Sequence, residues 1–382
     1  MIQRTLSSKI EQLATKFPFV LIIGPRQSGK STLAKMVFPN YKYVSLSDID
    51  MRTFAKEDPR GFIATYPDKT IIDEVQNVPS ILSYLQTHTD NENREGMYIL
   101  SGSQNMLMMQ SVDQTLAGRV GILRLLPFSH LEMKLAEIAP KSVDDEIFKG
   151  CYPRLYDKQI EPTDYYPSYI NTYVERDVRN IMEVGNLSLF VKFLKLCAGR
   201  IGQILNKSSL AVECGVSVPT IQSWLSILEQ SYIVYMLRPD YNNFSKRLVK
   251  SPKLYFYDTG LACSLLEIES AKQIATHYLR GGLFENMVIN ELIKQRYNEG
   301  REANFSFWRD SNGNEVDLIR TDANEQFAYE MKSGATFNKD YFKGLNYWAK
   351  LSGADSLHRT LIYGGAAALT TSDGKVIPWG EI

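Results

Sequence analysis

The chain has 382 residues, 44% of them hydrophobic, which is enough for two or three domains with buried cores. Lysine plus arginine and aspartate plus glutamate both number 43, so the overall charge does not indicate a nucleic-acid-binding protein and any basic surface must be local. The four cysteines contain no C-x-x-C pair and the four histidines no H-E-x-x-H pattern, which argues against a zinc knuckle, a disulfide framework and a zinc hydrolase.

The first predicted elements surround a phosphate-binding sequence. An amphipathic helix over residues 1–16 leads into a short apolar strand, Phe19–Ile23, and a helix is predicted over residues 30–38. Between strand and helix, residues 24–31 read Gly-Pro-Arg-Gln-Ser-Gly-Lys-Ser, a complete G-x-x-x-x-G-K-[ST] pattern. Its glycines let successive backbone amides point at phosphate oxygens, and the helix start adds the positive end of its dipole.

Within this loop the residue types predict separate roles in binding Mg²⁺ and ATP. We expect Lys30 to reach the β- and γ-phosphates and the Ser31 hydroxyl to ligate Mg²⁺. The residues expected to contact the nucleotide are Gly24, Pro25, Arg26, Gln27, Ser28, Gly29, Lys30, Ser31 and Thr32.

Further strands are predicted over residues 42–46, 69–73, 97–101 and 120–125, with a helix near 79–89. Strands that alternate with helices predict a mostly parallel, doubly wound α/β sheet. The strand at 69–73 ends in Asp73-Glu74. We expect Asp73 to hold Mg²⁺ through its outer shell and Glu74 to polarise an attacking water, which points to ATP hydrolysis.

Two further residues are candidates for contacts with the γ-phosphate. Ser103, with Gln104 as the second choice, follows the strand at 97–101, where a polar side chain can contact the γ-phosphate or the water; a plain Ser-Gly turn is the alternative. Arg119 precedes the next strand and can stabilise transition-state charge, either within one subunit or as a finger from a neighbouring copy in a homo-oligomer. A surface arginine in a loop explains Arg119 equally well.

The middle of the chain reads as helical over residues 130–207, with an interruption at Gly150-Cys151-Tyr152-Pro153. Residues 208–262 predict a winged-helix-like domain, in which a helix-turn-helix over 208–231 is followed by two strands, Tyr232–Leu237 and Lys253–Tyr257. Basic and aromatic residues alternate in and before the second strand, a pattern typical of a DNA-backbone contact or of a solvated hairpin over an aromatic core. These residues are Lys246, Arg247, Lys250 and Lys253 with Tyr241, Phe244, Tyr255 and Phe256.

The C-terminal part, residues 281–382, predicts an α/β module with a second cluster of polar residues. Glu285 lies on a predicted helix, Asp317 on a strand, and Glu330 and Lys332 on one face of the next strand. Three carboxylates and a lysine suit a Mg²⁺-dependent phosphodiesterase, in which the acids hold the metal and the lysine orients or activates water. An exposed hairpin with a salt bridge, or a decayed site, is the alternative.

Taken in order, these motifs resemble a family, the prokaryotic AAA+-superfamily ATPases with a C-terminal domain of unknown function. The resemblance covers nearly the whole chain. It is carried by the phosphate-binding loop and by segments 72–79, 101–103, 116–119, 126–129, 173–178, 314–319 and 329–334. It implies an ATPase core over residues 1–129, a winged-helix-like middle and a restriction-endonuclease-like C-terminal domain. It further implies the usual nucleotide roles for Lys30, Ser31, Asp73 and Glu74, and a finger role for Arg119. Cys151-Tyr152 departs from the Gly-Gly-type turn common in the family, which affects the local loop geometry.

Three functions therefore stay open at this point. The leading hypothesis is an ATP-hydrolysing switch or motor that acts on DNA. Whether it also cuts the DNA stays open. A module that ATP orders, and that binds DNA or a protein through an inactive nuclease-like domain, is the second; a P-loop small-molecule kinase is the third. The N-terminus has no apolar signal region and no apolar run approaches the roughly 20 residues of a membrane span, so we expect a soluble, cytoplasmic protein without a membrane partner.

Overall fold

A computed structural model describes residues 2–102, 112, 114–174, 187–240 and 249–382, with the backbone alone at 173 and 174. The chain forms two compact units. One comprises residues 1–128, 230–232 and 294–301, and the other comprises residues 129–229, 233–293 and 302–382. Among the helices of the described ranges, none combines the length and the apolar character needed to cross a membrane.

The first unit is built on a five-stranded parallel sheet with the strand order β2-β3-β4-β1-β5. Its strands are Phe19–Ile23 (β1), Lys42–Ser45 (β2), Thr70–Asp73 (β3), Tyr98–Gly102 (β4) and Val120–Arg124 (β5). All five residues of β1 are buried, and they alternate between two apolar cores on opposite faces of the sheet. Burial on both faces explains why β1 reads as a continuous apolar run. The parallel, doubly wound sheet predicted from the sequence is therefore present.

The helices of this unit cover both faces of the sheet. They are Ser7–Ala14 (α1), Lys30–Val37 (α2), Ile49–Glu57 (α3), Pro59–Thr65 (α4) and Ile81–Glu92 (α5). Sequence analysis missed α3 and α4. The signals were local: Asp48 caps α3 through the backbone amides of Asp50 and Met51, and Asp58 caps α4 one residue before a proline at its first position.

The second unit begins with short helices. They are His130–Leu135 (α6), Val143–Lys149 (α7), Pro153–Asp157 (α8), Pro162–Tyr169 (α9) and Leu187–Ala198 (α10). The predicted break before Pro153 has a steric cause at Gly150. A Cβ atom there would lie 2.1 Å from the Tyr166 hydroxyl and 2.3 Å from Asp258 Oδ1, and the φ of Gly150 is +65°. The Cys151 amide donates to Asp258 Oδ2 at 2.8 Å, which fixes the turn.

A helix-turn-helix and a two-stranded sheet follow, as the sequence predicts. The elements are Lys207–Cys214 (α11), Val218–Gln230 (α12), Val234–Leu237 (β6) and Lys253–Phe256 (β7). Gly215, at a φ of 74°, ends α11 in the left-handed conformation that favours glycine. Strands β6 and β7 pair antiparallel, with Tyr235 opposite Tyr255. Of the basic–aromatic segment, Tyr241, Phe244, Lys246 and Arg247 lie outside the described residues.

The C-terminal part of this unit is a mixed six-stranded sheet with the order β12-β13-β11-β10-β9-β8. The strands are Phe305–Arg309 (β8), Glu315–Asp322 (β9), Glu325–Lys332 (β10), Arg359–Tyr363 (β11), Leu369–Thr370 (β12) and Lys375–Pro378 (β13). The helices are Thr259–Leu265 (α13), Ala271–Ile274 (α14), Arg280–Asn298 (α15) and Lys343–Ser352 (α16). Trp308 and Trp348 are fully buried in its core. Sequence analysis missed β12 and β13.

Candidate functional site

The loop after β1 is shaped by two glycines. Gly24 has a φ of 152°, and a Cβ atom on it would lie 2.1 Å from the carbonyl oxygen of Leu125, so only glycine fits there. Gly29 has a φ of 95° and immediately precedes α2. Gln27, at a φ of 61°, adds a third left-handed residue. Such a sequence of conformations turns backbone amides into a concave anion cradle at a helix N-terminus.

Lys30, the first residue of α2, folds back over this loop. Its Nζ donates to the carbonyl oxygens of Pro25 at 2.7 Å and Gly24 at 3.1 Å. The side chain is buried, and burial lowers the pKa of the ammonium to about 8, although the carboxylates of Glu74 and Asp73 act to raise it. A cation held in a desolvated loop by carbonyl groups is poised to exchange them for phosphate oxygens, which are stronger partners.

Asp73, at the end of β3, accepts hydrogen bonds from three hydroxyl groups. Ser31 Oγ lies 2.9 Å from both carboxylate oxygens, Tyr43 donates to Oδ2 at 2.8 Å, and Ser101 donates to Oδ1. Ser31, Asp73 and Ser101 meet at one edge of the sheet because β1, β3 and β4 run parallel and end there. A hydroxyl and a carboxylate side by side are hard oxygen donors of the type that Mg²⁺ prefers, so these residues fit the ion expected with ATP.

Sequence analysis missed Tyr43, whose role depends on the pairing of β2 with β3. Burial raises the pKa of its phenol to about 12, and the hydrogen bond to Asp73 adds to the rise. The ammonium of Lys35 lies 3.3 Å from the centre of the Tyr43 ring. The phenol therefore stays protonated and holds one oxygen of Asp73 in place.

A second missed residue, Arg4, contacts the phosphate-binding loop at Ser28. Its guanidinium donates to the carbonyl oxygens of Ser28 at 2.9 Å and Leu126 at 2.7 Å, and it lies 5.0 Å from the centre of the Phe128 ring. Arg4 is 5% exposed. Arg4, which precedes α1, carries no sequence signal for such a contact, because its partners are backbone atoms far along the chain.

Glu74 adopts a left-handed backbone conformation, with φ 56° and ψ 44°. Such a conformation costs a non-glycine residue about 1–3 kcal/mol and occurs preferentially at functional sites. The Glu74 carboxylate accepts a hydrogen bond from the Gln76 side chain. The sharp turn directs Glu74 away from the strand direction that Asp73 follows, so the two neighbouring acids have different surroundings.

The structure contradicts one expectation for Arg119, namely that it stabilises transition-state charge within its own subunit. Strand β5 runs parallel to β1 and pairs Val120 with Phe19, so Arg119 lies at the amino edge of the sheet, whereas the phosphate-binding loop lies at the carboxyl edge. The length of the strand, about 16 Å at about 3.3 Å per residue, separates them. Arg119 instead forms an ion pair with Asp90, with Nε 2.6 Å from Oδ1. Arg119 therefore lies remote from the phosphate-binding loop of its own subunit. Ser103 and Gln104 lie outside the described residues.

In the C-terminal sheet, three of the four predicted polar residues meet. Tyr329 pairs with Leu318, and the next step of this antiparallel register brings Glu330 opposite Asp317. Lys332 Nζ bonds Glu330 Oε1 and lies 4.0 Å from Asp317 Oδ2. Burial raises the pKa of Glu330, and the negative charge of Asp317 adds to the rise.

Glu285, the fourth residue, has other partners. Its Oε1 accepts hydrogen bonds from the Tyr255 hydroxyl and from Lys253, whose Nζ is 2.9 Å away. The expectation that Lys253, Tyr255 and Phe256 form part of a DNA-contacting wing is wrong, because Lys253 is 2% exposed and the two aromatic residues are fully buried. Their alternation with basic residues reflects a strand packed on both faces.

Three family models match the chain. A model described as an AAA domain matches residues 16–134, and two domains of unknown function, DUF8612 and DUF4143, match residues 140–272 and 280–382. The first match covers the sheet, the phosphate-binding loop and the Ser31–Asp73 contact. The N-terminal part of the chain is therefore an AAA-like, nucleotide-binding ATPase domain.

Relatives span most of the chain. It is 24% identical over 339 residues to the uncharacterized proteins Rv2008c of Mycobacterium tuberculosis and Mb2031c of Mycobacterium bovis, and each match covers 87% of this chain and 74% of the relative. The solved Walker-type ATPase PABY2304 of Pyrococcus abyssi is similar at 14% identity and a TM-score of 0.48, over 69% of this chain and 96% of that one. The RuvB branch migration motor of Thermotoga maritima is similar at 17% identity and a TM-score of 0.33, over 61% and 89%.

Replacement of Lys30 by methionine should separate stability from nucleotide binding. Because burial lowers the pKa of Lys30 from 10.5 to about 8, the unfolded chain holds a proton that the folded chain has released between these pH values. The contribution of Lys30 to the free energy of unfolding therefore rises with pH through that window and is unfavourable below it. We expect Lys30→Met to be at least as stable as the native chain at pH 7 without nucleotide, by urea denaturation, and to bind no ATP by calorimetry. The exposed Lys16→Met is the control; native ATP affinity in Lys30→Met would contradict the expected role.

Proposed function

We propose that the N-terminal domain, taken as residues 1–129, binds Mg²⁺ and ATP at the loop over residues 24–31 and hydrolyses ATP. The observation that carries this proposal is the meeting of Lys30, Ser31 and Asp73 at the carboxyl edge of one parallel sheet. Ligands of open α/β sheets bind at this edge.

Each residue has a distinct task in this proposal. Lys30 exchanges its two carbonyl partners for β- and γ-phosphate oxygens, and the Ser31 hydroxyl turns from Asp73 toward the ion. Asp73 keeps its orientation because Tyr43 and Ser101 continue to donate to it. When bound, Mg²⁺ neutralises charge on the β- and γ-phosphates. Glu74 accepts a proton from the attacking water, for which its contact with Gln76 has to open.

The middle domain supports a role on DNA. A helix-turn-helix, α11 and α12, is followed by a two-stranded sheet, which is the element order of a winged helix, taken as residues 208–262. The connection between these strands contains Lys246 and Arg247 in the sequence, whereas α12 contains neither lysine nor arginine. In this proposal the connection supplies the contacts to the DNA backbone, and ATP turnover drives a switch or motor.

A second candidate function is a module that ATP orders without being hydrolysed. The pairing of Glu74 with Gln76 favours it, because in this arrangement the carboxylate is committed to a side chain instead of a water. The two functions make opposite predictions for a variant of Glu74.

For the variant Glu74→Gln we expect native ATP affinity and a loss of phosphate release by about 10²-fold or more, since the amide preserves size and hydrogen bonding but accepts no proton. Calorimetry measures binding, and a phosphate-release assay measures turnover. Glu92→Gln, at the exposed end of α5, is the matched control. Equal turnover in Glu74→Gln and the native chain would exclude Glu74 as the base, and absence of turnover in the native chain would favour the binding module.

Arg119 is proposed to act on the nucleotide of a neighbouring copy, because its position excludes its own. We expect Arg119→Ala to lose ATP turnover but to regain part of it when mixed with Glu74→Gln, since a mixed assembly joins an intact site to an intact arginine. Arg94→Ala removes an exposed arginine that pairs with Asp68 and should leave turnover unchanged. If light scattering shows that the chains assemble but turnover does not recover on mixing, the proposed role of Arg119 in a neighbouring site would be contradicted.

ATP turnover should increase when double-stranded DNA is added, and the increase should weaken with salt because phosphate contacts release counterions. The double variant Lys246→Ala, Arg247→Ala should reduce the stimulation and the salt slope while basal turnover stays unchanged. Lys339→Ala with Lys343→Ala, two exposed lysines elsewhere, is the control of equal charge. Native turnover that is indifferent to DNA at low salt would refute the DNA role and leave ATP hydrolysis in place.

A further inference from the structure

Lys253 lies inside the acidic cluster of the C-terminal domain, although it belongs to β7 of the preceding two-stranded sheet. Its Nζ lies 2.9 Å from Glu285 Oε1 and forms a second ion pair with Glu315 Oε1. Burial acts to lower the pKa of this ammonium, but Glu285, Asp317 and Glu315 outweigh it and raise the pKa above its usual range. Lys253 is therefore a buried cation held by two carboxylates.

Each of the three acids already accepts hydrogen bonds at one of its two oxygens. Glu285 Oε1 accepts from Tyr255 and Lys253, Asp317 Oδ2 accepts from the Met331 amide at 2.8 Å, and Glu330 Oε1 accepts from Lys332. Within the part of the chain that the structure describes, Glu330 Oε2 is the remaining buried oxygen of these three acids without a hydrogen-bond partner.

In the present arrangement the three acids do not converge on a single ion. A divalent cation such as Ca²⁺ or Mg²⁺ binds oxygens at about 2.0–2.6 Å, so its ligand atoms lie within about 5 Å of one another. In the described residues, the group of three metal-ligating side chains whose ligand atoms lie within 4.8 Å of one another is Glu146, Cys151 and Glu291, not the C-terminal acids. With Lys253 and Lys332 in place, Glu285, Asp317 and Glu330 therefore do not form a three-carboxylate site for one ion.

We propose that the ammonium of Lys253 is the built-in cation of this cluster, takes the place of a divalent ion beside Glu285, and leaves the C-terminal domain unable to cleave phosphodiesters. Four carboxylates (Glu285, Glu315, Asp317 and Glu330) face the two ammonium groups of Lys253 and Lys332, with Arg309 paired to Glu315 at 2.9 Å. These cations offset part of the negative charge of the four acids. The proposal is independent of ATP hydrolysis, which takes place in the other unit.

Removal of Lys253 should convert the cluster into a cation site, because buried carboxylates left without a counter-charge either bind an ion or take up protons. The probe is Mn²⁺ alone, followed by electron paramagnetic resonance, with full-length chains in an Asp73→Asn background and without nucleotide. This background removes the magnesium ligand of the ATPase domain from the measurement.

In this background the parent chain should bind no Mn²⁺ that depends on Asp317, and Lys253→Met should raise Mn²⁺ affinity by at least about tenfold, which corresponds to about 1.4 kcal/mol. A further Asp317→Asn substitution should abolish the gain. Lys250→Met, an exposed lysine three positions earlier, should behave as the parent. A folded Lys253→Met, judged by its circular dichroism and thermal transition, that gains no affinity would overturn the proposal.

A second comparison decides the matter even where Lys253→Met fails to fold. The native chain and Asp317→Asn are incubated with supercoiled and linear DNA and Mn²⁺, and nicking is followed on gels. Equal background in both supports the built-in cation. Mn²⁺ binding or cleavage by the native chain that disappears in Asp317→Asn overturns it, whatever the ATPase measurements show.

Discussion

A single carboxylate, that of Asp73, ties together the segments on which the ATPase domain depends. It accepts hydrogen bonds from the hydroxyl groups of Ser31 in the helix after the phosphate-binding loop, Tyr43 in β2 and Ser101 in β4. Because Asp73 is 6% exposed, these donors replace the water that would otherwise solvate it, and leaving it without them would cost several kcal/mol. The loop geometry set by Gly24 brings Ser31 within reach, so the backbone and the charge support the same site.

The chain buries a lysine in each of two clusters, and the charges of these two lysines are compensated in opposite ways. In the ATPase domain, Lys30 is held by backbone carbonyls and its pKa is lowered, so its charge is incompletely compensated and available to an anion. In the C-terminal domain, Lys253 is held by carboxylates and its pKa is raised, so its charge is already satisfied. Two buried lysines thus differ in their partners, backbone carbonyls in one place and carboxylates in the other.

The parallel direction of the strands also determines which residues lie at the same edge of the sheet. All five strands of the first sheet end at one edge, where the loop, Asp73 and the end of β4 collect. Arg119 begins β5 and therefore lies at the other edge, where Asp90 on α5 receives it. The same topology thus keeps Arg119 away from the phosphate-binding loop of its own subunit.

Local patterns in the sequence determined the strand–loop–helix around residues 24–31, the Asp73-Glu74 pair, the helix-turn-helix and the hairpin that carries Asp317 and Glu330. Each depends on neighbours within a few residues, through periodicity, glycine conformations and the alternation of strand faces. The tertiary structure alone decided that Tyr43 contacts Asp73, that Arg4 contacts the phosphate-binding loop, that Arg119 is remote from this loop, and that Lys253 is buried against Glu285. These contacts join residues distant in sequence, and they depend on strand order and register, which no short stretch of sequence encodes.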